Sequence, residues 1–241
     1  AGKKVLIWDE QGLGDTIQFS RFVIDLLNFS KNITFVVNTK LVEILKNLHD
    51  DIQIVGYNNL DPESFDYQIP LCSLPKYLNV LNSKDIKYYQ IQSTNNNSNS
   101  LIKNDNLNIG VSWSGNPNYS LDNYRSISFK YFEDIFKIDN INFYKLSQNV
   151  RSEEYLEFSS LSNLTDLGKK SLFEISKVIS NLDLVISSDT SIIHLAGILN
   201  VKSYLLLNYN SDWRWFNDKK DTIWYPSVEI IKQEKFDSWD N

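Results

Sequence analysis

Apolar positions along this chain recur in two rhythms, one suited to buried strands and one to amphipathic helices. Residues 3–8, KKVLIW, form a short apolar run of the kind that builds a buried strand, and the run stops at the glycine-containing turn QGLGD. Over 16–28 the residues Ile17, Phe19, Phe22, Val23, Leu26 and Leu27 return at helical spacing, so a helix is expected there with Asp15 as its N-cap. A strand over 33–38, a helix over 41–48 and a strand over 52–56 repeat the unit. Alternation of this kind implies a parallel sheet.

The polar stretch 93–100, STNNNSNS, breaks the rhythm and reads as a linker or exposed loop. Beyond it come strands over 108–113 and 141–146, a helix over 172–182, a strand over 183–187, a helix over 190–199 and a strand over 202–207. The expected fold class is α/β, with two Rossmann-like halves over 1–100 and 101–241 and a cleft where their sheet edges face each other. In such sheets ligands sit beyond the carboxyl ends of strands. Three segments therefore stand out: QGLGD, the long segment after Trp113, and SSDTSIIH after Ile186.

Composition narrows the chemistry. With 241 residues, 42% hydrophobic and 22% charged, the chain can bury a sizeable core. A formal net charge of -6 argues against nucleic acid or an anionic membrane as the main partner, though a local basic pocket remains allowed. Cys72 is the single cysteine, which excludes an intrachain disulfide and a thiolate zinc site. With only His49 and His194, and neither CxxC nor HExxH, no protein-built transition-metal site is expected. The first residues lack the apolar core of a signal peptide, and no stretch approaches the roughly 18 apolar residues of a membrane span, so a cytoplasmic location is expected. Methionine is absent, even at position 1, which reads as a segment of a longer polypeptide.

In QGLGD, Gly12 and Gly14 permit a tight turn, and the backbone N–H groups at the helix start could meet an anion or a polar ligand. The run is neither a GxGxxG fingerprint nor a P-loop: Ile17 stands where the third glycine is needed, and Gly14, Asp15 and Thr16 stand where GK[ST] would. Asp15 is suited either to accepting a proton or hydroxyl, or simply to capping its helix. In SSDTSIIHLAG, Asp189, Thr190 and Ser191 crowd polar groups at a helix start with His194 close behind; this suits a diphosphate and sugar hydroxyls, or equally an N-cap and a satisfied buried histidine. Arg125, just before an expected apolar helix, is either a phosphate clamp or a solvated surface arginine. The aromatics of DWRW and WYP stack on a base or, for most of them, close a core edge. Neither DxD nor GxSxG occurs.

Four ordered runs, WDEQGLGDTIQFSRF, GVSWSGNPNYSLDNYRSI, LDLVISSDTSIIHLAGILNV and NYNSDWRWFNDKKDTIWYP, resemble the ADP-heptose heptosyltransferase-like family of glycosyltransferases, most of all its bacterial branch fused to tetratricopeptide repeats. The resemblance extends from Lys3 to about Asp240. It implies a GT-B architecture with the donor held mainly by the C-terminal domain, and metal-independent inverting transfer from a nucleotide-diphosphate sugar with no cofactor. The missing DxD agrees. Under the resemblance Asp15 falls on the catalytic base, and Asp189, Thr190, Ser191 and His194 fall on the D-T-x-x-x-H donor segment. Ser114 and Arg125 fall on the phosphate-contacting hydroxyl and basic residue, and Gly14 joins the donor-binding set. The implied partners are a nucleotide-sugar donor and a saccharide or protein hydroxyl acceptor, with upstream repeats presenting the acceptor. A nucleotide-sugar epimerase, a protein O-glycosyltransferase and a non-catalytic nucleotide-binding or scaffold module remain open as alternatives.

Overall fold

The computed structural model describes residues 2–57, 60–92, 104–149, 152–216, 220–236 and 239. It divides into two compact units, Ala1–Gln92 with Ser171–Phe173, and Ser93–Lys170 with Glu174–Asn241. The Asn-rich stretch 93–100 and the expected boundary after residue 100 lie outside the described residues. Among the described residues no helix is long and apolar enough to cross a membrane.

The first unit contains β1 (Lys4–Trp8), α1 (Leu13–Phe19), α2 (Arg21–Asp25), β2 (Asn32–Val36), α3 (Thr39–Leu45), β3 (Ile52–Val55), β4 (Tyr67–Pro70) and α4 (Leu74–Tyr77). Its strands form one parallel sheet in the order β3-β2-β1-β4. Val5, Leu6, Ile7, Ile33 and Phe35 are buried, as expected of strands covered on both faces. The helix expected over 16–28 is broken into α1, α2 and a 3-10 turn, Leu26–Asn28. At the break the Ser20 hydroxyl donates to the Ile17 carbonyl at 2.8 Å, competing with regular helix bonding, while Ile17, Phe22 and Val23 keep one buried face across it.

β4 escapes the sequence pattern because its four residues are exposed or half-buried and it ends in a proline. Proline lacks the ladder donor, and the position β4 takes is the sheet edge, where that omission is tolerated. Its presence changes the topology in a way that bears on function. The chain runs outward from β1 through β2 to β3, then returns to the other side of β1 with β4, which makes the end of β1 a topological switch point.

The second unit contains β5 (Leu107–Ser112), β6 (Ile141–Lys145), α5 (Ser152–Ser159), β7 (Leu164–Asp166), α6 (Leu172–Ile179, whose first two residues count with the first unit), β8 (Leu184–Ser188), α7 (Ser191–Ile198), β9 (Ser203–Leu207) and β10 (Val228–Lys232). All six strands are parallel, in the order β10-β9-β8-β5-β6-β7. Here the switch point lies between β5 and β8. The expected apolar helix after Arg125 is instead a pair of 3-10 turns, Phe129–Phe132 and Ile135–Lys137.

Those turns pack an aromatic core. Trp113, Phe129, Phe132, Phe136, Phe143 and Phe158 are all buried in it, with Trp113 5.1 Å from Phe129 and 5.8 Å from Phe158 between ring centroids. One buried carboxylate serves two of its polar groups. Glu154 of α5 accepts the indole N–H of Trp113 at 3.1 Å and the backbone N–H of Phe129 at 3.2 Å. The base of the loop between them is closed by Ile127 N–H donating to the Trp113 carbonyl at 2.8 Å.

Candidate functional site

The first candidate loop leaves β1 at its switch point. Asp9 follows the strand directly, is buried, and accepts the Asn38 N–H at 2.9 Å, the Thr16 hydroxyl at 3.2 Å and the Tyr57 hydroxyl. Burial pushes the Asp9 carboxyl above its ordinary pKa, against the pull of the Asn38 and Thr16 hydrogen bonds. Asp9 therefore ties the end of β1 to the start of α3 and to the first helix. Asp9 was not among the expected site residues.

Asp15 is not the N-cap. Gly12 caps α1 in an extended conformation, and Asp15 is the third residue of the helix, where its Oδ2 accepts the Gly12 N–H at 3.1 Å. Gly14 and Asp15 are half-buried, so this carboxylate keeps access to solvent. A Cβ on Gly12 would lie 3.2 Å from that Oδ2, so the turn is fitted closely around the carboxylate.

The second loop leaves β8. Thr190, rather than Asp189, is the N-cap of α7, its Oγ1 accepting the Ile192 N–H at 3.4 Å. This frees the Asp189 carboxylate from capping. Its side chain is 15% exposed, and burial raises its pKa to about 6, opposed by the indole N–H of Trp215 and by the guanidinium groups of Arg214 and Arg125. The Trp215 N–H nevertheless meets no acceptor within hydrogen-bonding distance, and the hydroxyl of Ser188, the residue before Asp189, is likewise buried and unpartnered. Ser191 is half-buried at the first position of the helix.

His194 is buried at 2% exposure. Its Nε2 lies 3.9 Å from Asp189 Oδ1, and its Nδ1 is 3.0 Å from the Tyr225 hydroxyl. Trp215 lies against the imidazole with centroids 5.3 Å apart. The approach of Tyr225 depends on Gly197: a Cβ there would stand 2.4 Å from the tyrosine ring. Trp215, Trp224 and Tyr225 are buried, so these members of DWRW and WYP close the core as expected, whereas Trp213 is exposed.

Arg125 is not a loose surface arginine. Its Nε donates to Asp122 Oδ1 at 3.0 Å, and its guanidinium lies 4.6 Å from the centre of the Tyr119 ring. Asp122 is itself buried and also accepts the Ser126 hydroxyl at 2.9 Å, while Ser126 accepts the Gly115 N–H at 3.0 Å. A Cβ at Gly115 would stand 2.6 Å from an Arg125 nitrogen and 2.7 Å from Asp122. This glycine thus admits the ion pair. Ser114, by contrast, is buried and its hydroxyl donates to the Asn149 carbonyl at 2.7 Å.

Within the second unit, then, the structure gathers Asp189, Thr190, Ser191 and His194 at the start of α7 and brings the charge of Arg125 to bear on Asp189. Asp122, Arg214, Trp215 and Tyr225 belong to the same cluster and were missed as site residues. Only the aromatic clusters DWRW and WYP marked their neighbourhood. Among the described residues no three His, Cys, Asp or Glu side chains stand together as a metal site. What the cluster offers is hydroxyl and backbone donors at a helix start, two guanidinium groups and a buried carboxyl, a set able to hold a phosphorylated polyol.

No protein-family model matches the sequence, and no curated protein matches it. Solved structures do. The chain is similar to Escherichia coli ADP-heptose lipopolysaccharide heptosyltransferase II with 10% identity and a TM-score of 0.65, over 95% of this chain and 90% of that one. It is similar to a family 9 glycosyl transferase from Veillonella parvula with 12% identity and a TM-score of 0.68, over 96% and 86%. E. coli heptosyltransferase WaaC with ADP-2-deoxy-2-fluoro heptose gives 11% identity and a TM-score of 0.60, over 95% and 92%. At these identities the likeness establishes the fold: α/β and GT-B-like, with two parallel-sheet units shared with these glycosyltransferases.

Proposed function

We propose that the chain is a nucleotide-sugar glycosyltransferase that transfers a heptosyl or related sugar to a hydroxyl acceptor with inversion and without a metal. One observation carries the reading. In each sheet the loop bearing the singled-out aspartate leaves a strand at the switch point, where α/β proteins bind ligands, and the fold around both loops is that of heptosyltransferases. The absence of DxD supports metal independence, since paired carboxylates are how a divalent cation is held in sugar-nucleotide enzymes that use one.

In this reading Asp15 takes the proton of the acceptor hydroxyl as its oxygen attacks the anomeric carbon. The bond from that carbon to the phosphate oxygen breaks, and the electron pair leaves with the nucleoside diphosphate. Backbone N–H groups at the start of α7, with Thr190, Ser191 and Arg125, stabilise the departing negative charge, whereas the Ser114 hydroxyl has its proton committed to the Asn149 carbonyl. Gly14 keeps the backbone beside Asp15 open to the donor. Asp189 binds sugar hydroxyls, and buried His194 acts through it as a positioning residue, held by Tyr225 and Trp215. The acceptor is a saccharide or protein hydroxyl, upstream tetratricopeptide repeats present it, and the protein works in a bacterial cytoplasm.

Calorimetric titration with ADP, UDP and GDP, with and without magnesium, on the wild type and on Asp189→Ala tests the donor assignment. Selective binding that ignores magnesium and is lost in the variant is the expected result. Absence of binding to all three would sink the donor site and favour a non-catalytic module. Product analysis with the nucleotide sugar whose base binds separates transfer from epimerisation, which releases an altered sugar without any acceptor.

A further inference from the structure

A cavity lies in the second unit beside the Asp122–Arg125 pair, with Ser126 in its wall. Its volume is about 370 Å³, within the range of small-ligand pockets. One wall begins directly beyond β9 and β10, where Asn208 and Gln233 follow the last strand residues, and the Gln233 N–H bonds to the Leu207 carbonyl at 2.8 Å. The opposite wall is the returning part of the loop that follows β5. Asn208 joins the two by donating its Nδ2 to the Tyr124 carbonyl.

The lining chemistry is selective. Tyr124, Tyr131, Phe236 and Trp239 contribute aromatic rings. Asn123, Asn208, Asn210 and Gln233 contribute amides, which both donate and accept. Lys130 is the one charged side chain among the described lining residues, and its ammonium is turned over the neighbouring Tyr131 ring at 4.7 Å. A phosphorylated or carboxylated ligand would call for a cluster of cations. An apolar ligand would leave the Asn208 Oδ1 without a hydrogen-bond partner. Rings that cover C–H faces, together with side-chain amides that pair with hydroxyls, fit a neutral saccharide.

An orphaned atom adds an independent argument. Asn208 Oδ1 is buried and has no hydrogen-bond partner, although its Nδ2 is engaged. A buried amide oxygen left unpaired costs roughly 1–3 kcal/mol, and a small rotation of the Asn208 side chain towards a ligand hydroxyl in the cavity would relieve that. Gln233 is buried too, with its Oε1 committed to the Tyr209 N–H at 3.0 Å, which leaves its NH2 group as a donor.

We infer that this cavity is a binding site for a neutral saccharide of one or two rings, held by Asn208 and Gln233 and covered by the aromatic side chains. The site stands independently of the transferase reading. It is tested by saturation-transfer NMR and tryptophan fluorescence titration with N-acetylglucosamine, galactose and maltose, with glucuronic acid as the charged control. Saturable binding of a neutral sugar, weakened about tenfold or more in both Asn208→Leu and Phe236→Ala, is expected. Phe236 is an exposed ring whose removal leaves the core intact, so this variant keeps the test decisive if Asn208→Leu does not fold. Failure of all three neutral sugars to saturate overturns the assignment. So does equal affinity of the wild type and Phe236→Ala, or a preference for glucuronic acid.

Discussion

The loops after β1 and β8 are built from one plan, a parallel strand at a switch point followed by a turn and a helix with aspartate near its start, yet they handle their carboxylates in opposite ways. After β1 two residues divide the labour. Asp9 is buried and fixes the loop through Asn38, Thr16 and Tyr57, while Asp15 stays half-exposed and touches Gly12. After β8 there is one carboxylate for both places: Asp189 is largely buried beside His194, and it is also the carboxylate nearest the helix start. Separating the anchor from the second carboxylate leaves Asp15 open to solvent. Merging them gives a carboxyl whose charge state depends on its surroundings.

The sharpest break of this comparison is Asp15→Asn. In the proposed role of general base Asp15 would contribute on the order of 10²–10⁴-fold, so transfer should fall by that factor while nucleotide affinity and melting temperature stay close to wild type. Equal loss of turnover and binding would reduce Asp15 to a structural residue. Asp9→Ala should do the reverse, costing about 3 kcal/mol in urea unfolding because it removes the acceptor shared by the Asn38 N–H, the Thr16 hydroxyl and the Tyr57 hydroxyl. A cost below about 1 kcal/mol would show that Asp9 is not the anchor.

Gly197→Ala tests the second loop's support. Its Cβ would press on the Tyr225 ring at 2.4 Å, so a loss of about 2 kcal/mol is expected from overpacking, with a change in the His194 ring resonances. The smallest effect is one of pH. Asp189 holds its proton up to about 6 when folded, whereas an unfolded carboxylate releases it near 3.8. Below the lower value its contribution to stability is fully present; it declines as pH rises towards about 6, and is flat beyond. The decline should amount to about 1–2 kcal/mol, less than the full shift implies because the side chain keeps some exposure. Asp189→Asn should flatten this part of the stability curve; an unchanged slope would place the titration elsewhere.

Much of this was legible in the residues. The central strands β1, β2, β5, β6, β8 and β9 are apolar runs and showed themselves directly, and the motif runs led to Asp15, Asp189 and His194. Of the four edge strands only β3 was read, and the other three were harder. β4 is half exposed and ends in proline, β7 has three residues, and β10 alternates buried and exposed positions in a stretch where aromatic residues drew attention instead. Helix interruption at Ser20 was invisible because the hydrophobic face runs across it. The site partners that went unnoticed owe their roles to distant contacts. Tyr225 meets His194 across 31 residues of sequence, and Asp9 meets Tyr57 across 48, distances over which no local pattern speaks. Asp122 differs: it lies three residues from Arg125, a spacing that could have been read as an ion pair.

The closed base of the loop after β5 has a consequence for how such a protein can change over generations. Trp113 and Ile127 are joined backbone to backbone, and Glu154 holds both the indole and the first residue of the 3-10 turn beyond, so the chain between is a cassette clipped to the core at its two ends. Length and sequence inside the clip can drift without disturbing the aromatic core, provided that Gly115 and the Asp122–Arg125 pair are kept. Lineages descended from such a scaffold would diversify their substrates by exchanging this insert, and the same clip marks where a laboratory graft should begin and end.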